Sequence, residues 1–155
     1  VGIFYNSSEV NSEVQADQAK QALEAKGVKV EVATVTSTND VQQTMTSLAA
    51  KVDAIYLPTD NTVASTASTI GEILQEAKVP AMGSDAAVID ATLFTYGVDY
   101  HAIGVQAGEL AVKILKGDKP ADLPVEKPNT AAVTVNEEMA TALGFDAETI
   151  KALEK

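Results

Sequence analysis

Cysteine and arginine are both absent from this 155-residue chain, and histidine occurs once. Without cysteine there is no disulfide, no thiolate nucleophile and no thiolate metal site, a usage compatible with an extracytoplasmic compartment. With lysine as the only strong cation, 22 acidic residues leave a formal net charge of −11. Such a chain lacks the basic footprint from which nucleic-acid binding starts, so no nucleic acid is expected as a partner, and an anionic membrane surface would repel it. No apolar run approaches ~18 residues, so no segment can span a bilayer as a helix. No basic region followed by an apolar stretch marks a secretory leader. The chain opens directly on a strand-like run without an initiator methionine, which reads as a piece of something longer.

What is present is a hydrophobic content of 46%, enough for one domain that buries roughly 70% of its unfolded-chain surface. Short runs rich in β-branched residues alternate with longer helical stretches, the pattern of βαβ units and a parallel sheet. Strands are expected at 1–5, 28–35, 54–57, 81–83, 94–98 and 131–135. A helix over 11–26 would turn Val14, Ala19, Ala22 and Leu23 inward and stop at Gly27. A second over 39–51 follows an Asn-Asp start, and a third over 62–77 ends at the Val79-Pro80 pair. A fourth over 102–116 is expected to bury Ile103, Ala107, Leu110, Ile114 and Leu115. Three prolines at 120, 124 and 128 then favour an extended connection over 118–129. After the last strand, Asn136 begins two short helices broken at Gly144, with a polar tail around Lys155. The fold class is therefore a three-layer α/β lobe with a mostly parallel, flavodoxin-like sheet.

Four polar clusters fall where strand-like runs end: 6–9, 59–62, Ser84-Asp85 and Asp99-Tyr100. In a parallel sheet the strand C-termini share one edge, so these clusters converge on one crevice. The stretch Asn6 to Ser12 can cap the first helix, with Ser12 and Gln15 resembling a capping box. It holds more polar residues than one cap needs, and helix N-terminal amides beside Asn6, Ser7, Ser8, Asn11 and Ser12 suit an anion such as a carboxylate. Asp60, Asn61 and Thr62 sit at the expected switch point of the sheet, and Ser84 with Asp85 repeats the arrangement one strand further on. Glu9, Asp60 and Asp85 supply more negative charge than capping requires, and a buried carboxylate calls for a cation. Anion-binding amides beside carboxylates fit a zwitterion, the charge pattern of a free amino acid. The lone His101 has no nucleophile and orienting group around it, so no catalysis is expected.

Two alternatives on the same sheet fail at particular positions. A phosphoacceptor domain would be satisfied by Asp60 and Ser84, but lacks an acidic pair after the first strand and a lysine after the fifth. A flavin phosphate loop would need close backbone approach, whereas this loop has no glycine and carries Glu9. No cofactor is expected.

The motifs at 1–12 (Val-Gly-Ile-Phe-Tyr-Asn-Ser-Ser-Glu-Val-Asn-Ser), 52–62, 80–85, 96–100 and 115–124 follow one another in an order that resembles the second half of tryptophan/tyrosine-type ABC-transporter substrate-binding proteins. The resemblance covers essentially the whole chain. It implies one lobe of a two-lobed extracytoplasmic protein that clamps an amino acid, aromatic in kind, and delivers it to an ABC permease. On this resemblance the loop 6–12 with Asp60, Asn61 and Asp85 forms this lobe's part of the clamp, and Asp85 or Asp60 meets the ligand ammonium. Residues 1–99 would be the core of the lobe, 100–128 a helix and crossover, and 129–155 the returning strand and last helices. The N-terminal lobe is missing, so helix 102–116 is expected either to fold back onto this sheet or to be exchanged with a second copy in a domain-swapped homodimer. The runner-up readings are a flavodoxin-like signalling or enzyme domain and a scaffold lobe without ligand affinity.

Overall fold

The fold is organised around β1 (Gly2–Asn6), all five residues of which are buried because it is flanked on both sides. It pairs in parallel with β2 (Glu31–Val35) and with β3 (Ile55–Leu57). The computed structural model describes residues 1–128 and 131–154. Its sheet continues through β4 (Ala81–Gly83), β5 (Phe94–Val98) and the antiparallel β6 (Ala131–Val135), in the order β2-β1-β3-β4-β5-β6. All the strands match the expected positions to within a few residues. The largest difference is at β2, which starts at Glu31: the Val28 amide closes the preceding helix onto the Leu23 carbonyl, and pairing begins only where the Glu31 amide reaches Val1.

The helices are α1 (Val10–Ala25), α2 (Val41–Ala49), α3 (Asn61–Ser65), α4 (Ala67–Ala77), α5 (Tyr100–Leu115), α6 (Glu137–Leu143) and α7 (Ala147–Lys151). Successive strand side chains alternate between faces. On one face Phe4, Ile55 and Leu57 meet Val41, Met45 and Leu48 of α2 and Ile70 and Leu74 of α4 in the main core. On the other, Ile3 and Tyr5 pack on Ala16 of α1. A third cluster joins Leu93 to Ala140 and Ile150 of the last two helices. α1 ends as expected at Gly27, whose φ of +78° lets its amide reach the Glu24 carbonyl.

Three expectations are corrected. The helix over 62–77 is two helices, because the Thr66 hydroxyl donates back to the Thr62 and Val63 carbonyls and competes with the helical ladder. On α1, Val14 and Ala22 are exposed, while Ser12 and Ala16 are buried. Between α1 and Phe145, in the loop joining α6 to α7, the sheet is left open as an apolar groove of about 650 Å³ floored by Tyr56, Met82 and Phe94. Finally, no residue of α5 is buried, and Leu115 is 86% exposed. α5 neither folds back onto the sheet nor buries the face expected of it. The segment after it runs extended except for a short turn at Pro120–Asp122. The ends of the expected connection and tail, at Asn129 and Lys155, lie outside the described residues.

The site-forming edge of the sheet is packed tightly at Gly97. A Cβ there would meet the Ser84 carbonyl oxygen at 2.7 Å, so Gly97→Ala must push the Ser84-Asp85 loop outward. Overpacking of this kind costs about 1–3 kcal/mol. Urea unfolding of the variant is expected to show that loss, and a midpoint equal to wild type would show that the loop gives way freely.

Candidate functional site

The loops at the C-terminal ends of β1, β3, β4 and β5 meet at one edge, and the sheet order changes direction between β1 and β3 there. Asp60, 3% exposed, ties the two sides of this point together. Its Oδ2 accepts from the Asn6 amide at 2.8 Å and its Oδ1 from the Val63 amide at 2.9 Å, so it also caps α3. Burial of a carboxylate is tolerable only with such bonds in place. The Asn6 side chain braces the same corner, donating to Thr62 Oγ1 at 2.8 Å and accepting from the Ser8 amide at 2.8 Å.

Glu9 opens α1 but makes no side-chain bond to that helix. Its carboxylate instead reaches the start of α3. Oε2 accepts from the Asn61 amide at 3.0 Å and Asn61 Nδ2 at 2.9 Å, and Oε1 from the Thr62 amide at 3.2 Å and Thr62 Oγ1 at 3.4 Å. The positive end of α3 is thus filled by an internal anion. The first turn of α1 keeps its amides free of any side-chain cap. Burial raises the Glu9 pKa, but the four hydrogen bonds from Asn61 and Thr62 outweigh it and hold the carboxyl below its ordinary value of 4.5.

Behind this corner, Ser12 Oγ and Asn11 Nδ2 both donate to the Thr59 carbonyl at 2.9 Å. Ser12 therefore makes a tertiary bond, and the capping box expected of it with Gln15 does not form. Gln15 Oε1 accepts from the Thr59 amide at 2.9 Å and from Ser84 Oγ at 3.1 Å. Ser84 Oγ also lies 3.1 Å from Thr59 Oγ1. Tyr56, its pKa raised by burial and partly offset by a hydrogen bond with Ser84, approaches the same hydroxyl. Ser7 and Ser8 are exposed at the mouth.

Asp85 is 8% exposed. Its Oδ1 accepts from the Ala87 amide at 2.8 Å, and its Oδ2 accepts from the Tyr100 hydroxyl at 2.6 Å. That bond, with burial and the Asp85 charge behind it, raises the Tyr100 pKa above 10.0. All of the sequence-selected residues, Asn6 to Glu9, Asn11, Ser12, Asp60 to Thr62, Ser84 and Asp85, gather at this edge. Gln15 and Tyr100 were not selected. Gln15 carried a signal in its i, i+3 spacing from Ser12, which puts both on one face of α1. Tyr100 belonged to the fourth polar cluster, but nothing in the sequence aims its hydroxyl at Asp85. Among the described residues no group of three or more His, Asp or Glu side chains is arranged to hold a metal ion.

The Glu9 brace has a pH signature. A carboxyl whose pKa is lowered by folding contributes stability above its unfolded pKa, and that contribution is lost as pH falls through the folded value. Glu9→Gln is expected to cost about 1 kcal/mol at neutral pH, partly screened at this half-exposed position. The gap in urea midpoint between wild type and variant should close as pH drops below 4.5. A gap independent of pH would remove the carboxylate from the brace.

Compared with known proteins, residues 1–151 match the family model described as ABC transporter substrate binding protein. The chain is 33% identical over 144 residues to a tyrosine-binding protein of Clostridioides difficile (strain R20291), covering 92% of this chain and 42% of that protein. Among solved structures it is similar to an ABC domain from Streptococcus pneumonia in complex with L-Trp, with 38% identity, a TM-score of 0.84, and coverage of 99% of this chain and 52% of that one. A ligand-free, open substrate binding protein with adhesive properties from Clostridium difficile matches at 38% identity and a TM-score of 0.77, over 94% of this chain and 50% of that one. The chain thus spans about half the length of the relatives it matches. With its mostly parallel sheet and the crevice at the switch point, this chain belongs to the ABC transporter substrate binding protein family.

Proposed function

We propose that this chain is the C-terminal lobe of an extracytoplasmic solute-binding protein that holds a free amino acid, aromatic in kind, for an ABC permease, and that Asp85 receives the ligand ammonium. One observation carries the assignment of Asp85. Of the four carboxylates at the crevice, Asp60 is bonded through both oxygens to backbone amides, Glu9 through both oxygens to the start of α3, and the exposed Asp99 to the His101 and Ala102 amides that open α5. Asp85, buried where Asp99 is exposed, has as the described partner of its Oδ2 a hydroxyl that can swing aside. The uncapped first turn of α1, with Ser7 and Ser8 beside it, supplies donors for the ligand carboxylate. The relatives described as tyrosine-binding and as an L-Trp complex support an aromatic side chain.

In this reading residues 1–99 with the returning strand form the lobe, and 100–128 form the crossing segment that meets the N-terminal lobe. Specificity for the aromatic ring then rests largely on that opposing lobe. A half-site buries less of its ligand than the roughly 70–90% of a closed pocket, so the isolated chain binds weakly. Isothermal titration with L-Trp and L-Tyr is expected to show saturable heat. Asp85→Asn keeps the acceptor for Ala87 and removes the charge, which should weaken binding about 10-fold to 100-fold, the equivalent of a charge-assisted hydrogen bond of ~1.5–3 kcal/mol, with little change in thermal stability. An affinity unchanged by Asp85→Asn would take Asp85 out of the site. No heat from folded wild-type chain would leave it without a working site of its own.

A further inference from the structure

The carboxylate assigned above to the ligand ammonium already holds a donor on each oxygen. Tyr100 Oη donates to Asp85 Oδ2 at 2.6 Å, and Oδ1 accepts from the Ala87 amide at 2.8 Å. The Ala87 amide belongs to the backbone turn that Asp85 caps, so it cannot leave unless that turn opens. Oδ2 is held by a side chain instead. Asp85 is 8% exposed, and among the described residues no lysine pairs with it. Its charge is therefore balanced by dipoles alone, a state in which an incoming cation gains most.

Two features bring the phenol to this oxygen. β5 runs so close to the loop after β4 that a Cβ on Gly97 would lie 2.7 Å from the Ser84 carbonyl oxygen and 3.3 Å from Asp85 Cα. Asp99 then caps α5, its Oδ1 accepting from the His101 and Ala102 amides at 2.8 and 3.1 Å, which sets Tyr100 as the first helical residue. The hydroxyl keeps its proton at neutral pH, since its bond to Asp85, then burial and the Asp85 charge, hold its pKa above 10.0. Tyr100 is nevertheless 57% exposed. Rotating the ring away gives up one hydrogen bond and little apolar burial, and exposed side chains change rotamer quickly.

We propose that Tyr100 is an internal stand-in for the ligand ammonium: its hydroxyl holds Asp85 Oδ2 until an amino acid binds, and the ligand amino group displaces it. This rests on the reading of Asp85 as the ammonium partner. An ammonium brings a full charge to a buried carboxylate where a phenol brings only a dipole, so the exchange favours the ligand. A compound without an amino group has nothing to offer Oδ2 and leaves the phenol in place. Tyr100 is thus a positioning residue that acts through Asp85. It lowers the apparent affinity for amine ligands by the fraction of molecules in which Oδ2 is covered, and it leaves amine-free compounds unaffected.

The test is isothermal titration of wild type, Tyr100→Phe and Asp85→Asn with L-Trp and with indolepropionate, which keeps the ring and carboxylate of L-Trp and lacks its amino group. Tyr100→Phe is expected to tighten L-Trp binding about 3-fold to 10-fold, the range of one net hydrogen bond no longer given up. Indolepropionate is expected to bind both proteins equally weakly, and circular dichroism should be unchanged because the ring is exposed. A shift of both compounds by the same factor would show a merely structural role and overturn the proposal. L-Trp binding weakened by Asp85→Asn but unchanged or weakened by Tyr100→Phe also overturns it, while leaving Asp85 in the site. L-Trp binding unchanged by Asp85→Asn, or no heat from either wild type or Tyr100→Phe, overturns the displacement together with the reading on which it rests.

Discussion

The buried carboxylate of Asp60 is the contact on which the crevice depends. It takes the last amide of β1 and a first-turn amide of α3 at once, so the distance between two parallel strands and the entry angle of a helix are set by one group. An uncompensated charge at 3% exposure would be strongly destabilising. Both oxygens are occupied by backbone donors, whose positions are fixed by the sheet and the helix they open. Asp60 therefore acts as a rivet at the switch point, and the loops beside it inherit its rigidity.

From that rivet the division of labour among the acids follows. Glu9 closes the α3 terminus against external anions and leaves the first turn of α1 without a side-chain cap, the end to which the proposed function assigns the ligand carboxylate. Asp85, one strand along, is held by a short backbone bond and a phenol. Three carboxylates of similar composition thus differ in how replaceable their partners are. Tyr100 stands at the point where the chain leaves the sheet, so its bond to Asp85 links the crevice to the direction taken by α5.

Family membership and the exposed arm belong to the same physical picture. A chain spanning about half the length of its relatives keeps a self-sufficient core on the α2 and α4 face, where Phe4, Met45, Ile55 and Leu74 are fully or almost fully buried. Its opposite face is only partly covered by α1 and the last two helices. The apolar residues of α5 and the apolar groove are two surfaces that the lobe on its own leaves uncovered.

Much of this was legible in one dimension. Short apolar runs such as Gly2–Asn6, alternating with longer helical stretches, read as strands of a parallel sheet, because a strand covered on both faces tolerates few polar residues. Polar residues at the strand ends, Asn6, Asp60 and Asp85, were readable as a crevice because chain topology alone brings strand C-termini together. The periodicity of α5 was equally readable, but it shows only that a helix has apolar residues, never what they touch, and its expected burial was wrong for that reason. Pairings such as Glu9 with Asn61, Gln15 with Ser84 and Tyr100 with Asp85 join residues far apart in the chain or aim a side chain by backbone geometry. By itself the sequence determined the strands, most of the helices and the edge where the polar strand ends converge, since these follow from local periodicity and chain topology. Tertiary structure alone decided that both oxygens of Asp60 are held by backbone amides while one oxygen of Asp85 is held by a phenol, because a hydrogen-bond partner is a matter of distance in space.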